Sequence, residues 1–263
     1  MRVARLAIAL AAISIAVVAG GCATLPRPDA TDATPAPTSG SAEPVATEVS
    51  ATLRYTCGRF AFEDGILARG GNAEQGGDPA AVALRAYLAS PAADHTALPV
   101  HGWILVGIDQ VGAEFVAQGV DPLLPIVEVS IRHDRGSWKA IDGGWCDARR
   151  VLAPGINPAA WELLPGETTD PGTTGFVALV TELGCTSGKP VAGRIAGPEI
   201  RSMTDAVTLT FGVRALDGTS PSTCQDNLPA KVEVTLPEPL GPRKLLDGGY
   251  LPARDPSAPT CCG

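Results

Sequence analysis

The chain has 263 residues, room for one or two ordinary domains once an N-terminal export segment is set aside. A formal charge of -8, with 28 acidic against 20 basic residues and the basic ones scattered rather than striped, disfavours a nucleic-acid partner. Aromatic residues are 5% and charged residues 18%, while Gly (30) and Pro (24) are abundant; this argues against long charged helices and for turn-rich β structure with aliphatic cores.

The first 22 residues name the compartment in which every later cysteine must be read. Arg2 and Arg5 form a short positive region, and 6–18 is an apolar run broken only by Ser14. The run is shorter than the roughly 20 residues a spanning helix needs and ends in small residues, so 1–21 reads as a signal peptide. Ala19-Gly20-Gly21-Cys22 resembles a bacterial lipobox, with Ala19 where a leucine is usual. The resemblance implies that the Cys22 thiol carries a diacylglycerol. Its two acyl chains anchor stably, since each buried CH₂ contributes about 0.8 kcal/mol and one chain alone is marginal. Loss of Arg2 and Arg5 leaves 18 basic against 28 acidic residues, a mature charge of about -10.

After Cys22 the chain to residue 50 is Pro, Ala, Thr, Ser, Asp and Glu with almost nothing large and apolar. It cannot bury enough surface to offset its ordering entropy, so 22–50 is expected to be the lipidated cysteine and a disordered tether, partly stiffened by proline.

A first folded unit is expected over 51–151. A short extended segment surrounds 53–57. Asp78 is a natural N-cap with Pro79 at the first helical position; Ala81, Leu84 and Leu88 recur on one face, and Pro91 stops the run. Four extended segments follow at 103–108, 113–118, 126–132 and 137–141. In the third, Val127, Val129 and Ile131 alternate with Glu128, Ser130 and Arg132, the pattern of a strand with one buried face. Asp134-Arg135-Gly136 reads as a hairpin turn, and the Arg149-Arg150 pair as a solvated turn. One helix on an antiparallel sheet is an α+β domain.

The second unit, 152–250, offers no helix. Val207, Leu209, Phe211 and Val213 alternate with Thr208, Thr210 and Gly212, and 231–236 alternates as cleanly. Residues 176–182 and 191–200 are plausible partners, the latter demoted toward an edge by Pro198. Short strands at this spacing predict a small all-β sandwich-like domain, followed by a flexible tail over 251–263.

Outside the cytoplasm cysteines tend to pair. With Cys22 assigned to lipid, six remain, and six allow 15 connectivities. Keeping each bridge within one unit selects Cys57 with Cys146 and Cys185 with Cys224. On the chain-entropy model these loops are worth at most about 4.6 and 3.9 kcal/mol. Cys261 and Cys262 sit in the polar tail with no histidine nearby, so a disulfide is preferred over a metal site, which needs about four ligands.

Catalytic patterns are sparse. His95, His101 and His133 are the only histidines and read as surface residues; no metalloprotease, nucleophile-elbow or P-loop pattern occurs, and no metal or cofactor is expected. Paired carboxylates about 5–9.5 Å apart escape short motifs because they come from distant strands; Glu114, Glu128 and Asp142 are the candidates, with Glu128 a solvated strand residue by default. Trp103, Trp138, Trp145 and Trp161 suit either cores or a sugar-stacking platform, with Trp145 expected against the disulfide beside it.

The lipobox, Thr56-Cys57-Gly58, Gly144-Trp145-Cys146, Leu236-Pro237-Glu238-Pro239-Leu240-Gly241 and Leu245-Leu246-Asp247-Gly248-Gly249 together resemble secreted lipoproteins of high-GC Gram-positive (actinobacterial) type. The resemblance spans most of the mature chain and carries no activity with it. The expectation is an extracytoplasmic, membrane-anchored lipoprotein, a non-enzymatic binding module for an envelope protein or glycan; an envelope hydrolase or a structural wall spacer is the alternative.

Overall fold

The computed structural model describes residues 45–46, 52–94, 97–216 and 227–257. The signal segment, Cys22, most of the tether, His95, Cys224, Cys261 and Cys262 lie outside them. Among the described residues the fold is mostly antiparallel β-sheet with few helices. The strands in chain order are β1 Val45–Ala46, β2 Arg54–Thr56, β3 Phe62–Glu63, β4 Ile104–Ile108, β5 Gly112–Gln118, β6 Ile126–Asp134 and β7 Ser137–Trp145. They continue with β8 Arg149–Arg150, β9 Ile156–Leu163, β10 Gly175–Glu182, β11 Ile195–Ser202, β12 Ala206–Arg214, β13 Ala230–Thr235 and β14 Lys244–Asp247. The helices are α1 Ile66–Arg69, α2 Pro79–Leu88 and α3 Pro91–Asp94.

Local chemistry sets α2 as the sequence predicts. The Asp78 side chain accepts the Ala81 N–H at 3.0 Å with Pro79 at the first helical position, satisfying one of the free N–H groups of the first turn. Ala80, Ala81, Ala83 and Leu84 are buried. Pro91 does more than stop the helix: it opens the single turn of α3, where its missing N–H is not needed.

The four expected extended segments form one antiparallel meander in the order β4-β5-β6-β7. At its β6–β7 hairpin Arg135 and Gly136 both have positive φ (50° and 79°), the type I′ pairing that suits the right-handed twist of two strands. One face of the meander carries Ala113, Phe115, Ala117, Val127, Val129 and Ile131, which pack with Ala80, Ala83 and Leu84 of α2 and with Trp103.

The opposite face is not left wholly to solvent, as the alternation of β6 suggests, but is covered in part. A three-stranded sheet, β3-β2-β8, brings Tyr55 and Phe62 against Val116 and Ile126, with Cys146 and Ala148 in the same cluster. The Cys57–Cys146 disulfide, with a Cα–Cα distance of 5.4 Å, ties the residue after β2 to the residue after β7. Pairing over such a distance (Tyr55↔Arg150) leaves no local trace in the sequence.

The remaining strands form a seven-stranded sheet, β1-β11-β12-β9-β10-β13, with β14 added in parallel beside β12. Its core gathers Trp161, Phe176, Val180, Leu209, Phe211 and Val234. In β9, residues 156–158 pair with β12 and 159–163 with β10, so Pro158 sits where the strand changes partner. The same logic places Pro198: the β11–β12 register shifts between Ala196 and Glu199, and a bulge is one of the few places a strand accepts proline. On β13, Val232 and Val234 are buried while Lys231, Glu233 and Thr235 are exposed, charges that discourage further edge pairing.

All described residues belong to one compact unit, 39–263, and its two halves meet along β8. Arg150 N–H donates to Gly249 O (2.9 Å), Val151 N–H to Arg54 O (2.8 Å) and Leu251 N–H to Ala148 O (3.0 Å). The Arg150 guanidinium donates to both oxygens of Glu199 (2.7 and 2.8 Å) and to Thr210 Oγ1 (3.0 Å). Arg150 is therefore a buried lock and not part of a solvated turn. Its charge is matched by Glu199 because an unpaired one would not be tolerated there. Within the segment read as a tail, Leu251 and Arg254 are hydrogen-bonded to the body of the fold; residues 258–263 lie outside the described residues.

Candidate functional site

The meander brings the three candidate carboxylates onto one face. Glu114 pairs across with Ser130, which pairs with Asp142; Val116 pairs with Glu128, which pairs with Gly144. Glu128 is thus the diagonal neighbour of both Glu114 and Asp142, at the roughly 7–8 Å such positions impose. Because the β3-β2-β8 sheet covers part of this face, Glu114 is buried and Glu128 half-buried, while Asp142 stays exposed. The solvated reading of Glu128 is corrected accordingly.

Each carboxylate has its own environment. Glu114 accepts the backbone N–H groups of Arg59 (2.7 Å) and Phe60 (2.9 Å), successive donors of the kind that form an anion nest. The turn that presents them is set by Thr56, whose hydroxyl donates toward the carbonyls of Gly58 (2.7 Å) and Phe60 (2.9 Å). A Cβ at Gly58 would lie 2.8 Å from Glu114 Oε1 and push the carboxylate aside. Thr56-Cys57-Gly58 is therefore a cradle for one buried carboxylate and the start of a disulfide. Asp142 turns back to accept the Gly143 N–H at 2.8 Å. Burial first, then the negative charges of Glu114 and Asp142, push the Glu128 carboxyl up to about 7. An acid of that strength can exchange a proton near neutral pH. Glu128 lines neither a cavity of about 820 Å³ beside β14 nor one of about 490 Å³ at the end of α2.

The tryptophans do not form a platform. Trp103 and Trp161 are buried in different cores. Trp138 stacks on His133 with ring centroids 4.5 Å apart. Trp145, expected to cover the disulfide, is 44% exposed and has the Arg254 guanidinium 5.6 Å from its ring centroid. His101 is exposed, 3.5 Å from Glu74, and His133 Nδ1 lies 3.0 Å from Gln110 O. Cys185 is disulfide-bonded; Cys224, its expected partner, lies outside the described residues. Among the described residues no group of three or more His, Cys, Asp or Glu is placed to hold a metal ion, and no helix is long and apolar enough to cross a membrane.

A second cluster went unread in the sequence. The guanidinium groups of Arg149 (4.1 Å) and Arg254 (3.8 Å) both lie over the Tyr250 ring. Asp147 accepts from both, from Arg149 Nε at 2.6 Å and Arg254 Nη2 at 2.6 Å. Behind them Asp247, 2% exposed, accepts the N–H of Gly249 (2.8 Å) and of Trp161 (3.4 Å). Gly248 passes so close to β12 that a Cβ would meet Thr210 Oγ1 at 2.8 Å. Burial outweighs these hydrogen bonds and the nearby Arg149 and Arg254, and pushes the Asp247 carboxyl up to about 7. Leu245-Leu246-Asp247-Gly248-Gly249 is thus a strand and tight turn that close the seam between the halves; the Asp-Gly-Gly run hinted at a turn but not at its burial.

Comparison with models of protein families, with curated proteins and with solved structures finds no match to this chain.

Proposed function

We propose that this protein is a lipid-anchored lipoprotein of the extracytoplasmic face of the cell membrane, and that its folded part is a non-enzymatic binding module for an envelope protein or glycan. In this reading an α+β lobe over 51–151 and an all-β, sandwich-like lobe over 152–250 are carried on a tether that starts at Cys22, and Val45–Ala46, within the segment expected to be tether, instead pairs with β11. The observation that carries it is the Cys57–Cys146 disulfide, in a chain whose first residues read as an export signal ending at Cys22; such bridges persist in oxidising compartments. The experiment is radiolabelled palmitate incorporation and cell fractionation of wild type and Cys22→Ala. Label and membrane association in the wild type, both lost in the variant, support the anchor; membrane association that survives the substitution counts against it. Surface cross-linking of the tagged protein in its own cells then tests the binding role, a dominant partner supporting it and repeated failure with lipidated protein opposing it.

Glu128 favours a second reading, an envelope hydrolase that uses this acid beside Glu114 and Asp142. Of the three, Glu128 is the best proton donor, since Glu114 already accepts two backbone N–H groups. If purified protein turns over cell-wall glycan, Glu128→Gln must abolish the turnover; undiminished activity in that variant removes Glu128 from the chemistry.

A further inference from the structure

The cavity of about 490 Å³ lies between α2, the 3₁₀ turn Ala73–Gln75 and the loop before β4, within the roughly 300–1,000 Å³ range of small-molecule sites. Leu88 and Ala89 from the end of α2 and Val100 from the loop give it an apolar lining. Two opposite charges border that lining. Glu74 is only 4% exposed; its Oε2 accepts the Trp103 N–H at 3.1 Å, while Oε1 has the His101 ring 3.5 Å away, on a side chain 78% exposed. Arg85 Nη1 donates to the carbonyls of Glu74 and Gly76, both at 2.6 Å. This fixes the guanidinium beside Glu74 and leaves Nε and Nη2 without a recorded partner among the described residues. The two charges are neighbours through the backbone, yet no ion pair joins them among the described residues.

A carboxylate this buried calls for a cation or strong donors, and a guanidinium edge with free N–H groups presents a fork that fits a carboxylate. We propose that this cavity binds a free amino acid with an apolar side chain, its ammonium at Glu74, its carboxylate at Arg85 and its side chain over Leu88 and Val100. The inference deepens the binding-module reading by naming a ligand class, and it does not depend on the lipid anchor.

The test is a titration of the disulfide-intact mature chain with L-leucine, followed by ¹⁵N–¹H NMR. Saturable shifts confined to 74–75, 85–89 and 100–101 are expected. N-acetyl-leucine, which lacks the ammonium, and leucinamide, which lacks the carboxylate, should each bind at least about tenfold more weakly. Val100→Arg, at a side chain 65% exposed, fills the cavity without touching a core. It should abolish the shifts at an unchanged melting temperature, which guards against Glu74→Gln simply failing to fold. Absence of saturable shifts up to about 20 mM leucine, binding of either singly charged analogue as tight as that of leucine, or full affinity in Val100→Arg overturns the proposal. Capture of a protein partner at the cell surface alongside failure to bind leucine would overturn it while leaving the binding-module reading standing.

Discussion

Asp247→Asn should change how stability depends on pH more than it changes stability at any one pH. The carboxyl is buried, and its folded value of about 7 stands against an ordinary value of 3.8. Between these values the folded chain keeps a proton that the unfolded chain has released. The contribution is therefore complete below about pH 4, falls as pH rises, and is gone above about pH 7. A difference of about 3 pH units at 1.36 kcal/mol each makes the full span about 4 kcal/mol. Asparagine removes the titration and keeps one acceptor oxygen, for the Gly249 N–H; its NH₂ replaces the Oδ2 that accepts the Trp161 N–H at 3.4 Å, a loss that is the same at every pH and leaves the comparison of slopes intact. The assay is urea unfolding at half-unit steps from pH 4 to 8. Glu128, also raised to about 7, tilts both proteins the same way, so the difference between them isolates Asp247. The variant should gain on the wild type by about 1.4 kcal/mol per pH unit across the window and run parallel to it above pH 7. Parallel curves throughout would mean that Arg149 and Arg254 hold Asp247 ionised, and would refute the reasoning.

Replacing Cys57 and Cys146 together by alanine opens a loop with a sequence separation of 89 and should lower stability by up to about 4.6 kcal/mol; an unchanged urea midpoint would mean that the bridge does not constrain the unfolded chain. Arg150→Ala leaves Glu199 at the seam without its cation and should cost about 3 kcal/mol, and a double-mutant cycle with Glu199→Ala should show coupling, additive effects contradicting the lock. Gly58→Ala forces the Glu114 carboxylate out of its cradle and should cost about 1–3 kcal/mol. Gly65→Ala, where a Cβ meets nothing within 4 Å, is the matched control, and equal melting temperatures for the two would sink the cradle.

Much of the first half was readable because its signals are local. The Asp78-Pro79 start of α2, the Asp134-Arg135-Gly136 hairpin and the alternation of β6 all act between residues a few positions apart. β9 has no clear signal in the sequence because Pro158 breaks the look of a strand, although it falls where β9 exchanges β12 for β10. β14 has none either, being four residues long and set among prolines and glycines. The second cover of the meander escaped notice because β2, β3 and β8 are three, two and two residues long, too short for any period to show.

From the residues alone follow a turn-rich antiparallel β fold with few helices and, once the chain is divided into two units, the pairing of Cys57 with Cys146. Local periodicity and turn chemistry suffice for the first, and the bridge follows from keeping each cysteine pair within one unit. The environments of the charged residues do not follow. Glu114 is cradled by a turn 54–55 residues away, Arg150 meets Glu199 49 residues on, and Asp247 accepts a bond from Trp161 86 residues back. The same acidic or basic side chain is solvated, paired or driven toward its neutral form according to which distant strand covers it. Burial is set by contacts that close only when the chain has folded, and so the candidate sites became visible only in three dimensions.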